Sequence, residues 1–190
     1  MKFKASYGHF DWAAPFYDRV FGAATHDALF AHLAIEPVHT VLDIGGGTGR
    51  VSERLMSLNA QLIVVDPSPQ MLAHANAKQL PGVRGLAERL PFVADSIDRI
   101  LVVDAFHHFA DQPLAARELV RVLRPNGRLV IEEPDIRHLA VKGIAVAEKL
   151  ALMQSHFYSP AALAELFGAS GGTVLAVTPD RISVHVLVTK

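Results

Sequence analysis

The stretch from Val41 to Arg50 constrains the fold of this chain more than any other. Apolar residues at Val41, Leu42 and Ile44 predict a short buried strand. Glycines then stand at alternate positions 45, 47 and 49, and helical spacing resumes at Arg50. Glycine adopts positive φ angles without a Cβ penalty and lets the backbone approach a ligand closely. A strand, a glycine turn and a helix start in this order are typical of a nucleotide-binding site.

The glycine loop does not match the nicotinamide fingerprint. That fingerprint requires G-x-G-x-x-G, and reading from Gly45 its third glycine would fall at Arg50. The pattern present is Asp43-x-Gly45-x-Gly47-x-Gly49, with Gly46 inside it. It resembles the first motif of class I S-adenosylmethionine-dependent methyltransferases. The resemblance implies that Asp43 and these four glycines bind S-adenosylmethionine.

Composition limits the other possibilities. The chain has 190 residues, of which 51% are hydrophobic and 19% are charged, so we expect one ordered domain over residues 1–190. The net charge of −1 gives no basic excess, and we expect no nucleic-acid partner. The absence of cysteine excludes disulfides and thiolate chemistry, and we expect no metal site. No stretch has the length of a membrane span or the core of a signal peptide, which predicts a cytoplasmic protein.

Residues 1–36 precede the first strand and are predicted to form a helical cap. Thr25 is expected to cap a helix that runs to Leu33. The aromatic residues of this segment either pack onto the sheet edge or form a lid over a ligand. The sequence of residues 16–18 resembles an element that precedes the first motif in many small-molecule methyltransferases, and this resemblance implies a cofactor contact at Tyr17.

A second strand, Gln61 to Asp66, is predicted after a helix that reaches about Leu58. Asp66 lies 19 residues beyond Gly47. An acid about 20 residues beyond a glycine fingerprint can accept hydrogen bonds from both ribose hydroxyls. The alternative is that Asp66 caps the following helix, predicted from Gln70 to Lys78. We favour the ribose role because the spacing and the strand end agree.

The loop after a short third strand resembles the adenine-side loop of the same family. The strand is expected near Val83 to Leu86, and the sequence from Ala87 to Phe92 carries the resemblance. The family usually has an aspartate before the alanine, where this chain has Leu86. The resemblance implies cofactor contacts along this wall, at Pro67, Met71, Leu86, Ala87 and Glu88.

Two adjacent histidines follow the predicted fourth strand, Asp98 to Asp104. Because the carboxyl ends of strands border the ligand crevice of an open α/β sheet, His107 and His108 are candidate catalytic residues. Neighbours face different ways, so at most one is expected to reach the substrate. The pair resembles a family pattern that helps shape the substrate pocket, and the same resemblance implies a cofactor contact at Asp104.

The remainder of the chain predicts the rest of the sheet. The stretch Leu123 to Leu129 resembles the third motif of the family: Pro125 stops a helix and Gly127 turns into a fifth strand. Residues 136–159 form a long connection that we expect to act as a lid, and Ser159 is predicted to cap a further helix that reaches Phe167. Two closely spaced final strands must form an antiparallel hairpin. The predicted fold is therefore α/β, with a Rossmann-like, seven-stranded, mostly parallel sheet, helices on both faces and an antiparallel C-terminal hairpin.

The resemblance extends from residue 41 to residue 190 and is closest to the small-molecule branch (methyltransferase type 11), which includes ubiquinone and menaquinone biosynthesis methyltransferases. It implies methyl transfer from S-adenosylmethionine to a small, partly hydrophobic acceptor. His107 or His108 would serve as a base where one is needed, and Tyr17, Glu133 and His156 are weaker candidates. The alternative is a protein that binds S-adenosylmethionine or S-adenosylhomocysteine without catalysis, because Leu86 replaces the usual aspartate. The methylated atom and the oligomeric state stay open.

Overall fold

A single seven-stranded sheet organises the computed structural model, which describes residues 26–139, 141–142 and 155–190. The strand order is β3-β2-β1-β4-β5-β7-β6. Strand β7 runs antiparallel to β5 and β6, and the other neighbouring pairs are parallel. The strands are β1 Thr40–Ile44, β2 Gln61–Asp66, β3 Gly82–Arg84, β4 Ile97–Val103, β5 Leu123–Pro134, β6 Thr173–Asp180 and β7 Ser183–Thr189. This topology confirms the predicted fold class.

Helices cover both faces of the sheet. The described helices are α1 Asp27–Leu33, α2 Arg50–Glu53, α3 Pro69–Ala77, α4 Gln112–Val122 and α5 Pro160–Ala169, with short 3-10 turns at Met56–Leu58 and Phe106–His108. One apolar cluster contains Leu29, Val51 and Leu72, and therefore unites α1, α2 and α3. The other contains Leu119 and Leu163 and unites α4 with α5. Two separate cores thus hold the sheet between two layers of helix.

The helix after the glycine loop is shorter than predicted. Helix α2 ends at Glu53, although the sequence pattern predicted a helix to about Leu58. From Arg54 onward the backbone bonds tighten to the three-residue spacing, with Leu55 N–H donating to Ser52 O. Asn59 then closes the segment with a φ of 54°. Tight 3-10 turns of this kind are common at helix ends and preserve the apolar spacing that suggested a continuous helix.

Three helices begin with side-chain caps. Ser68 Oγ accepts a hydrogen bond from Met71 N–H at 3.1 Å, so Ser68 and not Asp66 is the N-cap of α3. Asp111 caps α4, and Ser159 caps α5 as predicted. The N-cap of α1 is His26, which makes no side-chain capping bond, and the predicted capping residue Thr25 lies outside the described residues.

Strand β5 begins directly after α4 and contains the predicted turn. Ile97 pairs with Leu123, and Arg99 pairs next with Arg128, so residues 124–127 form an irregularity in the strand. Asn126 has a φ of 66°. A Cβ on Gly127 would lie 2.9 Å from the backbone oxygen of Arg124, which favours glycine there. The turn therefore sets the register of β5 beside β4.

Two predicted segments fall largely outside the described residues. Of the 1–36 cap only residues 26–36 are described, and Tyr17 is not among them. Of the 136–159 lid, residues 136–139, 141–142 and 155–159 are described. The lid roles and the single-domain boundary stay predictions. No helix in the described part of the chain is both long and apolar enough to cross a membrane.

Candidate functional site

A cavity opens at the carboxyl ends of β1, β2 and β4, where the predicted site residues converge. Of those predictions, the lining includes Asp43, Gly45, Gly46, Gly47, Asp66, Pro67, Met71, Leu86, Ala87, Glu88, Asp104 and His108. Gly49 and His107 are not among the described lining residues, and Tyr17 lies outside the described chain. Sequence positions from 43 to 108 thus meet around one space, which is the crevice expected of an open α/β sheet.

The three alternate glycines of the loop have different surroundings. Gly45, Gly47 and Gly49 all have positive φ angles, of 71°, 55° and 73°. A Cβ on Gly49 would lie 2.6 Å from Leu80 Cδ1, which places this residue against the core. A Cβ on Gly47 would meet only Met71 Sδ, at 3.6 Å, on the wall of the cavity. Gly49 therefore allows the loop to pack, and Gly47 leaves room for a ligand.

Asp66 connects the end of β2 to the glycine loop. Its Oδ2 accepts a hydrogen bond from Gly47 N–H at 3.0 Å, and its Oδ1 accepts one from Ser68 N–H at 2.8 Å. A carboxylate offers about four lone-pair positions, and these two bonds use one on each oxygen. Asp66 is largely buried but lines the cavity. The carboxylate can therefore shape the loop and accept hydrogen bonds from a ligand diol.

Asp43 supports the loop from below. Its Oδ2 accepts a hydrogen bond from Ser52 Oγ–H at 2.7 Å. A Cβ on Gly46 would lie 2.5 Å from Asp43 Cγ, so the loop closes over this carboxyl group. Burial raises the pKa of Asp43 to about 6, and Asp66 adds to the increase, against the hydrogen bond from Ser52. Asp43 thus has a structural role in supporting the loop, and its role as a cofactor contact stays a prediction.

The predicted adenine-side loop is fixed to α4 by polar side chains. Glu118 Oε2 accepts from Leu90 N–H at 3.0 Å, and Arg121 donates to the carbonyl oxygens of Leu90 and Phe92. Glu88 Oε1 accepts from Ala110 N–H at 2.8 Å, so part of its hydrogen-bonding capacity is used within the protein. Leu86 and Ala87 present an apolar wall to the cavity.

The two adjacent histidines have distinct environments. His107 is buried, its Nδ1 lies 2.7 Å from Glu133 Oε2, and its ring stacks on Phe157 with centroids 4.4 Å apart. His108 lines the cavity, and its Nδ1 lies 3.2 Å from Ser155 Oγ. Burial, together with a smaller effect of the nearby His107, lowers the pKa of His108 to about 3. Of the pair, His108 is placed to meet a ligand.

Asp104 lies where β4 meets the cavity and has an unusual backbone conformation. Its φ is 50°, although it is not glycine. Its pKa is raised to about 6 by burial, and the carboxylates of Glu133 and Glu132 add to the increase. Non-glycine residues with positive φ often occur at ligand sites, where surrounding structure holds them in place. Asp104, a predicted cofactor contact, therefore combines a buried carboxyl group with a backbone conformation that often occurs at ligand sites.

Several residues at the site were not predicted. Arg50 and Phe109 line the cavity. Ser155 contacts His108, and a buried pair of histidines, His26 and His185, contacts Glu132. Arg50 could have been found, since it directly follows the glycine loop. Phe109 could likewise have been found, because it directly follows His108, whereas Ser155, His26 and His185 reach their partners only through long-range packing.

The comparisons with known proteins agree with this geometry. Residues 42–131 match the family model described as a methyltransferase domain. An uncharacterized methyltransferase of Mycobacterium tuberculosis is 42% identical over 91 residues, which are 47% of this chain and 37% of that protein. The demethylmenaquinone methyltransferase of the same organism is 38% identical over 116 residues, or 61% of this chain and 48% of that protein. The chain thus spans less than half the length of these two curated relatives.

A solved structure extends the likeness in fold to nearly the whole chain. The S-adenosylmethionine-dependent methyltransferase of Thermotoga maritima, described as a possible histamine N-methyltransferase, superposes with a TM-score of 0.80. It is 23% identical and covers 97% of this chain and 99% of that one. At this identity the likeness shows the fold alone. Residues 42–131, slightly less than half of the chain, are thus similar to the methyltransferase-domain family.

Proposed function

We propose that the protein transfers a methyl group from S-adenosylmethionine to a small, partly hydrophobic acceptor. The observation that carries this proposal is the convergence of three features on one cavity. These are the open face of Gly47, the Asp66 carboxylate and the apolar wall of Leu86 and Ala87. Gly47 lets a ligand approach the backbone closely, the Asp66 carboxylate suits a ribose diol, and the apolar wall suits an adenine ring.

The residues present fit this cofactor. Asp66 would hold the ribose hydroxyls, and Leu86 and Met71 would contact the adenosine part through apolar surface. Leu86 offers no carboxylate to the adenine amino group, so recognition on that side would depend on the backbone of Ala87. When bound, S-adenosylmethionine supplies a methyl group on a positively charged sulfonium sulfur. The protein's contribution would then be alignment of the acceptor and exclusion of water.

His108 is the residue we assign to the acceptor side. Because its pKa is lowered to about 3 by burial, its imidazole is neutral near pH 7 and places no positive charge beside a sulfonium. A group with so low a pKa is a weak proton acceptor. Its ring nitrogen is better suited to orienting an acceptor O–H or N–H by a hydrogen bond. Phe109 supplies adjacent apolar surface, which supports a partly hydrophobic acceptor.

Calorimetric titration with S-adenosylmethionine, S-adenosylhomocysteine and NAD tests the cofactor. We expect micromolar binding of the first two and none of NAD. Release of S-adenosylhomocysteine should then be measured with a panel of acceptors, including phenols, amines, thiols and a short-chain demethylated naphthoquinol, the last because one relative is named a demethylmenaquinone methyltransferase. Binding of NAD instead, or of none of the three ligands by folded protein, would contradict the proposal.

The alternative function is binding without turnover. The observation that favours it is Leu86, which leaves the adenine-side loop without the carboxylate usual in the family. Methyl transfer to any acceptor in the panel would exclude this alternative. Tight binding of S-adenosylmethionine and S-adenosylhomocysteine, with no methyl transfer to any acceptor class in the panel, would favour binding without turnover.

A further inference from the structure

A buried polar network connects β5 and β7 to the cofactor loop. Glu132 on β5 accepts two hydrogen bonds at the same oxygen, Oε2: one from His26 Nδ1 at 3.1 Å and one from His185 Nε2 at 3.0 Å. All three residues are at least nine-tenths buried. Glu132 and His185 are direct partners in the β5–β7 ladder, so the register of the sheet places them together. Within the described chain, no group of three such residues is arranged to hold a metal ion.

The network extends to Arg50, which contacts the second ring nitrogen of His26. Arg50 Nη1 lies 3.3 Å from His26 Nε2. A guanidinium has donors only, so His26 Nε2 must be the acceptor and carry no proton. The proton of His26 then lies on Nδ1, which donates to Glu132. His26 therefore presents a donor, Nδ1–H, to Glu132 and an acceptor, Nε2, to Arg50.

Arg50 is placed to meet a ligand and keeps unused donors. It lines the cavity immediately after the glycine loop. Its Nε is buried and, among the described residues, has no hydrogen-bond partner. Buried N–H groups are rarely left unpaired, and an orphaned one at a cavity wall indicates a missing acceptor. The fork of guanidinium donors matches the geometry of a carboxylate or a phosphate, and of these two S-adenosylmethionine carries the carboxylate.

We propose that His26 is a positioning residue that holds the Arg50 guanidinium in place to bind a carboxylate of the ligand. This inference rests on the proposed function, because S-adenosylmethionine carries one carboxylate, on its amino-acid part. Arginine has many rotamers, and fixing one of them before binding lowers the entropy that binding costs. Glu132 and His185 would contribute by keeping His26 in the required tautomer.

Two ligands that differ in the amino-acid part test the inference. S-adenosylhomocysteine has the carboxylate, whereas 5′-methylthioadenosine keeps the adenosine and sulfur but lacks the amino-acid group. We expect Arg50→Ala to weaken S-adenosylhomocysteine binding about 10- to 100-fold and to change methylthioadenosine binding less than about twofold, as measured by calorimetry. His26→Ala should also weaken S-adenosylhomocysteine binding, by a smaller factor than Arg50→Ala, and should leave methylthioadenosine binding nearly unchanged.

Further variants separate positioning from general damage. The double variant His26→Ala with Arg50→Ala should bind S-adenosylhomocysteine no more weakly than Arg50→Ala alone, because His26 acts through Arg50. His26→Gln keeps a carbonyl acceptor and should recover part of the affinity. Leu29→Ala, a buried apolar change in the same helical segment, is the matched control: it should lower the melting temperature and leave the ratio of the two affinities unchanged.

The outcomes distinguish this inference from the proposed function. If wild-type protein binds S-adenosylhomocysteine but Arg50→Ala binds it equally well, the inference fails and the proposed function stands. If His26→Ala weakens both ligands by the same factor, His26 has a structural role only and the positioning claim fails. If folded wild-type protein binds neither ligand, both fail. Should His26→Ala not fold, Arg50→Ala and His26→Gln still decide the question.

Discussion

At the scale of single residues, some side chains that line the cavity also make hydrogen bonds within the protein. Asp66 accepts hydrogen bonds from Gly47 and Ser68, and it is also the predicted partner of the ribose hydroxyls. Glu88 supports the segment before α4 and lines the same cavity. Removing such a residue changes the loop that presents the ligand as well as the contact itself.

Asp66→Ala should show both effects. We expect the free energy of S-adenosylmethionine binding to weaken by about 1–3 kcal/mol, since charge-assisted hydrogen bonds to the diol are lost. The melting temperature should also fall, because two backbone N–H groups lose their acceptor. Calorimetric titration and thermal unfolding measure the two effects. Glu53→Ala, which removes an exposed carboxylate, is the control, and unchanged affinity in Asp66→Ala would remove the ribose assignment.

The two histidines should respond differently to alanine. We expect His107→Ala to lower the free energy of unfolding by about 2–3 kcal/mol, because it leaves the buried Glu133 carboxylate without its 2.7 Å partner. His108→Ala should change stability by about 1 kcal/mol or less and lower kcat about tenfold or more. Denaturant unfolding and initial rates with an active acceptor test this pair. Equal small effects on kcat would exclude a catalytic role for either residue.

The sequence predicted the site residues that depend on local spacing. The positive φ angles of Gly45, Gly47 and Gly49 follow from their alternation, and the position of Asp66 follows from its distance to Gly47 and its place at a strand end. The network around Glu132 joins residues 106 and 53 positions away from it. Only the three-dimensional arrangement of the strands brings those together, so a single sequence gives no indication of them.

At the scale of elements, strands were predicted more reliably than helix lengths. The apolar runs of β1, β2 and β4 correspond to strands in the structure, because a buried parallel strand needs a continuous apolar stretch. Helix α2 was predicted too long, since a 3-10 turn continues the same apolar spacing. The turn of residues 124–127 was predicted from Pro125 and Gly127, whose backbone requirements are local.

Two glycines in different elements should respond in opposite ways to alanine. Gly49→Ala places a Cβ 2.6 Å from Leu80 Cδ1 at a φ of 73°, so we expect a loss of at least about 1–2 kcal/mol in the free energy of unfolding. Gly168→Ala lies within α5 with nothing within 4 Å of the new Cβ. It should increase stability by about 0.5–1 kcal/mol. Thermal unfolding of both variants tests this, and a stable Gly49→Ala would contradict the described loop conformation.

At the scale of the whole molecule, the buried carboxyl groups predict a pH dependence. Burial raises the pKa of Asp43 to about 6, above its ordinary value. Below that pKa the native state binds a proton that the unfolded state releases, so stability from this group rises as pH falls from about 7 to about 4. The pKa of Asp104 is also raised to about 6, so its contribution to stability likewise rises as pH falls.

Asp43→Asn isolates this effect. We expect the free energy of unfolding of Asp43→Asn relative to wild type to fall by about 1 kcal/mol between about pH 7 and pH 5, because only wild type gains stability on protonation. Chemical unfolding at several pH values measures the difference, and titration of other groups cancels between the two proteins. Asp27→Asn, at an exposed position, should show no such trend. A difference independent of pH would contradict a raised pKa at Asp43.

The order of strands also has a consequence for biosynthesis. Strand β7 lies between β5 and β6, although it follows both along the chain. While a ribosome is releasing this protein, the edge of β5 from Arg128 to Pro134 therefore has no partner until residues 183–189 emerge. An unpaired, apolar strand edge is a template for association with other chains. Nascent chains stalled before β7 should thus depend on chaperones far more than completed ones.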